Sequence, residues 1–363
     1  MRRLPLLLVA AALALLLGHD PVLRHARATR LLESLGRADA AAAELLETDV
    51  ELPGRHGPVR ARLYRSAAGA PGPGLVVAHG VHYRGIDERR LVPFARQLAR
   101  AGRVVLTPEL DDLTQYSITI RGADTIEDAV HWLSSGDLAA GTKVGVLGFS
   151  FAGGLALVAS SRPQVGRHVE FVTSVGGHHD LARVLRFLLS DRVETPDGPA
   201  QEQAHEYGLV VLVYRYVDHF VDPEDVPAMR DTLRFWLRED RAAATARASR
   251  RVTERGERLF ALLESGRLAE LRPELERLLT AEQAALAALS PAGRLHDVAA
   301  PVYLLHGAGD RVIPPAETEW GARELRSRPH RALVSPLLEH VEVSGQPGVA
   351  DKLALVTFMS RMM

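Results

Sequence analysis

Lys143-Val144-Gly145-Val146-Leu147-Gly148-Phe149-Ser150-Phe151-Ala152-Gly153-Gly154-Leu155-Ala156-Leu157-Val158-Ala159 carries a short apolar, β-like run into a glycine-flanked serine and on into a helix-forming run. A serine hydroxyl attacks well only when it projects from a sharp turn, clear of its neighbours and close to backbone N–H groups. Glycines on either side allow strand and helix backbones to approach closely enough for that turn. The layout is that of a nucleophile elbow, G-x-S-x-G, with Ala152 in the last position. A strand-to-helix turn of small residues with no chemistry is the plainer alternative, so the rest of the chain has to decide.

Outward from the elbow, short apolar strands alternate with helical spacing. Leu75–Ala78, Val104–Leu106, Val144–Leu147, Phe171–Thr173, Val302–Leu305 and Ala332–Val334 read as buried strands. Leu91–Ala101 reads as a helix closed by Gly102, and Ile126, Val130 and Leu133 mark another. Val59–Arg65 alternates apolar with basic residues, as an antiparallel strand with one wet face does. The pattern predicts an α/β protein with a mostly parallel sheet covered on both faces. Between Val172 and Val302 the alternation stops, and Arg234–Leu289 is Ala, Arg, Glu and Leu at helical spacing: a helical insertion. The apolar stretch Leu209–Phe220 is expected to pack that insertion onto the main body, with Tyr214 facing a substrate pocket.

A serine nucleophile needs a base, and the base needs an orienting acid. Val302–Leu305 runs into His306-Gly307-Ala308-Gly309-Asp310, which delivers Asp310 on a loop at a strand's C-terminal end. Ser335-Pro336-Leu337-Leu338-Glu339-His340 follows the next strand and brings His340 to the same rim. The order Ser150, Asp310, His340 is the order this architecture uses. Asp180 is a rival acid, but it reads as the N-cap of a helix starting at Leu181. His330 precedes the last strand and belongs at the opposite end. The N–H of Phe151 and that of Val81, in the loop His79-Gly80-Val81-His82-Tyr83, are candidate oxyanion donors. His79 is expected to brace that loop. His82, Tyr83, His178 and His179 are expected near the mouth as substrate-binding residues. The adjacent histidines have no third ligand at suitable spacing, so neither metal nor cofactor is expected.

Composition narrows the classes further. With a formal net charge of −1 and 47% hydrophobic residues, the 363-residue chain has ample core material and no general pull toward nucleic acid. It has no cysteine, which removes disulfides, thiolate metal sites and a cysteine nucleophile. Met1-Arg2-Arg3 precedes an unbroken apolar run, Leu4–Leu17. At about 1.5 Å per residue this run spans roughly 21 Å, short of the ~30 Å hydrocarbon core. Residues 1–18 therefore read as a signal peptide or a membrane anchor, with membrane contact through residues 4–17 and the body outside the cytoplasm. Residues 19–48 read as a helical connector, with Arg30–Leu46 alanine-rich. Residues 49–180 and 297–363 form the two parts of the core, and 181–296 the helical cap.

The His79-Gly80 loop, the Gly148-Phe149-Ser150 elbow, the Asp310 loop and His340 together resemble the α/β-hydrolase superfamily from about Val59 onward. The stretch from His79 to Gly154, with Arg84-Gly85-Ile86-Asp87, is similar to its dienelactone-hydrolase-like and prolyl-oligopeptidase-like branches, although a true dienelactone hydrolase uses a cysteine nucleophile. The resemblance implies an α/β-hydrolase fold with a cap before the last two strands. It also implies hydrolysis of a small-molecule carboxylic ester through an acyl-enzyme, and the apolar insertion suggests an apolar acyl part. A serine peptidase, an acyltransferase or a silent binding protein on the same fold are the alternatives.

Overall fold

The computed structural model describes residues 24–26, 28–29, 45–67, 71–339, 342–343 and 348–362. The apolar run 4–17 and His340 lie outside these residues. So do 19–23, 27 and 30–44 of the connector expected to be helical. Of the connector's described residues, 24–26 and 28–29 are helical, whereas 45–48 belong to a strand that the sequence reading did not expect. β1 (Leu45–Leu52) pairs along its whole length with β2 (Val59–Ser66), from Leu45 opposite Ser66 to Leu52 opposite Val59. The alanine-rich composition before Leu45 concealed the alternating TDVEL pattern that follows it.

β3 (Gly72–Ala78), β4 (Val104–Pro108), β5 (Ala139–Phe149), β6 (Val169–Val175), β9 (Val302–Gly307) and β10 (His330–Ser335) complete an eight-stranded sheet. β7 (Arg192–Thr195) and β8 (Gly198–Gln201) form a separate hairpin. A second small pair joins β11 (Leu338–Glu339) and β12 (Glu342–Val343). The order across the main sheet is β1-β2-β4-β3-β5-β6-β9-β10. β2 runs antiparallel to both neighbours, and every pairing from β4 through to β10 is parallel. The functional loops after β3, β5, β6, β9 and β10 therefore leave from one rim.

The sheet separates two cores. On one face Val76, Val146, Val172 and Leu304 join the large core with the helices Ile120–Ser135 and Phe151–Ser160 and the insertion. On the other, Val77, Leu147, Phe171 and Leu305 join a smaller core with the helices Leu91–Arg100 and Val349–Met359. Strand alternation creates this division, because consecutive side chains leave opposite faces.

The insertion is helical from Tyr207 to Ala288, as its composition predicts, but the β7–β8 hairpin precedes it in a stretch that reads as strandless. Val210, Leu212 and Val213 of the expected docking stretch are buried in the large core. Asp225, fully buried, ties the insertion together internally. Its carboxylate accepts from the Val252 N–H at 2.7 Å, the Thr253 N–H at 3.0 Å and the Thr253 hydroxyl at 2.6 Å. Burial pushes its pKa up, but these donors outweigh burial and hold it below the ordinary 3.8. The stabilisation is therefore complete above pH ~4 and lost as pH falls through the lower folded value. Asp225→Ala is expected to cost about 3 kcal/mol in urea unfolding, because two backbone N–H groups lose their acceptor. An unchanged midpoint would contradict this role.

Candidate active site

β5 ends at Phe149, and the helix Phe151–Ser160 begins one residue later. Ser150, between them, is held at φ +54° and ψ −134°, a conformation that L residues adopt only when their surroundings enforce it. The enforcement is visible. The Ser150 N–H donates to the Val175 carbonyl at 2.8 Å, and the Ser150 carbonyl accepts from the Gly153 N–H at 2.8 Å. A Cβ on Gly148 would stand 2.3 Å from the Ala152 carbonyl oxygen, and one on Gly153 would stand 2.4 Å from Ser174 Oγ. The turn thus needs glycine at 148 and 153, while Ala152 is accommodated, fully buried. Phe151 is the first residue of its helix, so its N–H has no acceptor within the helix and points to the helix's N-terminal side.

Gly80 passes directly beside this serine; a Cβ there would stand 3.1 Å from Ser150 Cβ. His79 fixes the loop, as the sequence reading expects. Its Nε2 accepts from the Leu110 N–H at 2.9 Å, so Nδ1 carries the proton that it donates to the Gly80 carbonyl at 2.8 Å. Burial pushes the ring down to a pKa of about 4.

Asp310 follows β9, fully buried. Its Oδ1 accepts from the N–H groups of Val312 and Ile313 at 2.9 and 3.0 Å. Behind it stands His306, also fully buried. Its Nε2 donates to the Ile313 carbonyl at 2.8 Å and lies 3.3 Å from Asp310 Oδ2, while its Nδ1 meets Thr318 Oγ1 at 2.9 Å. His306 is the penultimate residue of β9, and its place at the end of an apolar strand, four residues before Asp310, is the sequence signal for this supporting role. From the insertion, Glu202 and Tyr207 feel the same carboxylate. Burial first, and then the Asp310 charge, pushes both pKa values up. The C-terminal ends of β5, β6 and β9 are linked in a row, since the Gly176 N–H donates to the Leu305 carbonyl at 2.7 Å beside the Ser150–Val175 bond.

A cavity of about 560 Å³ opens at Ser150, and Val81, His82, Phe149 and Tyr207 help line it. Of the five residues expected to bind substrate, only His82 lines this cavity, and four require correction. Burial first, and then Arg90, Arg84 and Arg238 against the opposing Glu88, holds the His82 ring below the usual range. Tyr83 faces outward, stacked on His82 and placed between the Arg84 and Arg238 guanidinium groups. His178 and His179 are buried on the other side of the elbow. The Gly176-Gly177 turn leads them between sheet and insertion, where His178 Nε2 meets the Leu289 carbonyl at 3.0 Å and His179 Nε2 donates to Glu324 at 2.7 Å. Tyr214 packs edge-on to Tyr116 within the large core. Asp180 caps the helix Leu181–Ser190 through the Arg183 N–H, and His330 begins β10 at the far end of the sheet. Among the described residues no cluster of three or more His, Asp or Glu has the arrangement of a metal site, and no helix is long and apolar enough to cross a membrane.

The strand order, the strained serine between β5 and its helix, and the insertion ahead of the last two sheet strands define the α/β-hydrolase fold. No protein-family model matches the chain, and no curated protein does. Among solved structures, it is similar to a Klebsiella pneumoniae protein assigned as a dienelactone hydrolase, with 13% identity, TM-score 0.43, and coverage of 82% of this chain and 88% of that one. An esterase from Pyrobaculum calidifontis gives 15% identity, TM-score 0.46, and coverage of 94% and 92%. A puromycin-hydrolyzing peptidase from Mycobacterium tuberculosis gives 18% identity and TM-score 0.48 over 89% of this chain, which spans only 39% of that protein.

The buried, neutral His79 carries a pH signature. Its ordinary pKa is 6.5 and its folded value about 4, so the unfolded chain takes up the proton first. Stability is therefore expected to rise as pH climbs from about 4 to 6.5 and to level off above, with an upper limit of about 3 kcal/mol from this residue. Urea midpoints in His79→Gln should show a visibly smaller rise over that window; an identical profile would contradict it.

Proposed function

We propose that the protein is a serine hydrolase of carboxylic esters. The observation that carries this reading is a strained, buried Ser150 at a helix N-terminus, opening into a cavity on the same rim as the hydrogen-bonded Asp310 carboxylate. In the proposed reaction, Ser150 Oγ bonds to the carbonyl carbon as His340 takes its proton. The carbonyl electrons move to the oxygen, where the N–H groups of Val81 and Phe151 donate to it. As the C–O bond to the leaving alcohol breaks, His340 gives the proton to that oxygen. Water then repeats the sequence on the acyl-enzyme, and the acid is released. Asp310 orients His340 and stabilises its imidazolium. His306 holds Asp310 in turn. No metal or cofactor takes part. The arginine-led apolar segment at residues 1–18 supports an exported or membrane-anchored protein.

Labelling with a fluorophosphonate probe tests the reading. The wild-type chain is expected to label, Ser150→Ala not at all, and His340→Ala only weakly. Ester kcat should fall about 10³–10⁴-fold in Asp310→Asn, as when a triad histidine loses its orienting charge. A folded wild-type protein that fails to label overturns the proposal. Cleavage of an acyl-alanine anilide with poor ester turnover would replace the esterase by a peptidase.

A further inference from the structure

The cavity at Ser150 does not lead into the insertion. Its apolar lining includes Phe94, Leu305, Leu355, Met359 and Met362, and every one of these belongs to the smaller core, on the sheet face opposite the insertion's helices. Phe94 comes from the helix Leu91–Arg100, Leu355 and Met359 from Val349–Met359, and all five residues are buried. Tyr207 is the insertion's contribution to the lining. The polar wall is elsewhere: Glu88, paired to Arg90 at 2.9 Å, with the exposed Arg89 beside it.

Resting on the ester-hydrolase reading, we infer that this chamber is the acyl site and that the substrate carries an aliphatic acyl chain. The chain would lie beneath the sheet rim between the two helices, away from the cap. Phe94, Leu305, Leu355, Met359 and Met362 offer an acyl chain no polar side chain, and the methionine thioethers adapt to a flexible chain. The volume of about 560 Å³ falls within the ~300–1,000 Å³ of sites that enclose whole small molecules. The acyl group stays covalently attached to Ser150 through both half-reactions, which suits the buried end. The alcohol has to depart, which suits the end where Arg89 reaches solvent.

The test is hydrolysis by the full chain of p-nitrophenyl esters from acetate to dodecanoate, beside acetate esters of alcohols of matching length. The value of kcat/KM is expected to rise about fourfold per acyl methylene until the chamber is full, and to change little with alcohol length. Met359→Trp should move the optimum to shorter acyl chains and Phe94→Ala to longer ones. Fluorophosphonate labelling of each variant reports whether it still folds around an activated serine. A flat acyl profile in a protein that labels and hydrolyses esters overturns the acyl site and leaves the hydrolase standing. A profile that follows the alcohol instead overturns the assignment of the acyl end. Absence of Ser150-dependent labelling overturns the hydrolase itself.

Discussion

Everything at the rim depends on one backbone conformation. Ser150 sits in a region of φ and ψ that costs of order 1–3 kcal/mol, and the surrounding sheet and helix over-determine it. Val175 anchors the turn through the Ser150 N–H, and Gly148 and Gly153 leave no room for a side chain. The neighbouring loop has to use Gly80 to pass the serine. Relaxing the turn would misplace the hydroxyl, the helix N-terminus and the Val81 loop together.

The polar groups around this turn are held in fixed states by complementary means. Burial keeps His79 neutral against the opposing pull of its bond to the Gly80 carbonyl, while the Leu110 N–H fixes its tautomer. Asp310 meets two N–H groups and a histidine. The insertion is fastened where it leaves the sheet by Glu317, nearly fully buried, which accepts from the N–H groups of His179 and Asp180 and from the Arg183 guanidinium. His179 adds a bond to Glu324. These ties explain why histidines that look like mouth residues in the sequence are structural in the fold.

The sheet and elbow were legible in the sequence because period-two burial and the glycine pattern around Ser150 are local signals. Asp310 was legible by its place after β9. The lining of the cavity was not, because Phe94, Leu305 and Met359 come from distant elements and look like ordinary core residues. β1 was obscured by its alanine-rich approach. His178 and His179 misled because adjacency in sequence does not tell which layer a turn enters.

The division of the interior into two cores has a spectroscopic consequence. The chain has three tryptophans. Trp132 and Trp236 pack against the large core, and Trp320 donates its indole N–H to the Glu194 carbonyl beside the insertion. The small core has Phe94, Phe171, Phe358 and Tyr303 but no indole among the described residues. Intrinsic emission excited at the red edge therefore reports on one face of the sheet and is nearly dark to the other, so a ligand filling the chamber beside Ser150 would change the protein with little change in its tryptophan spectrum.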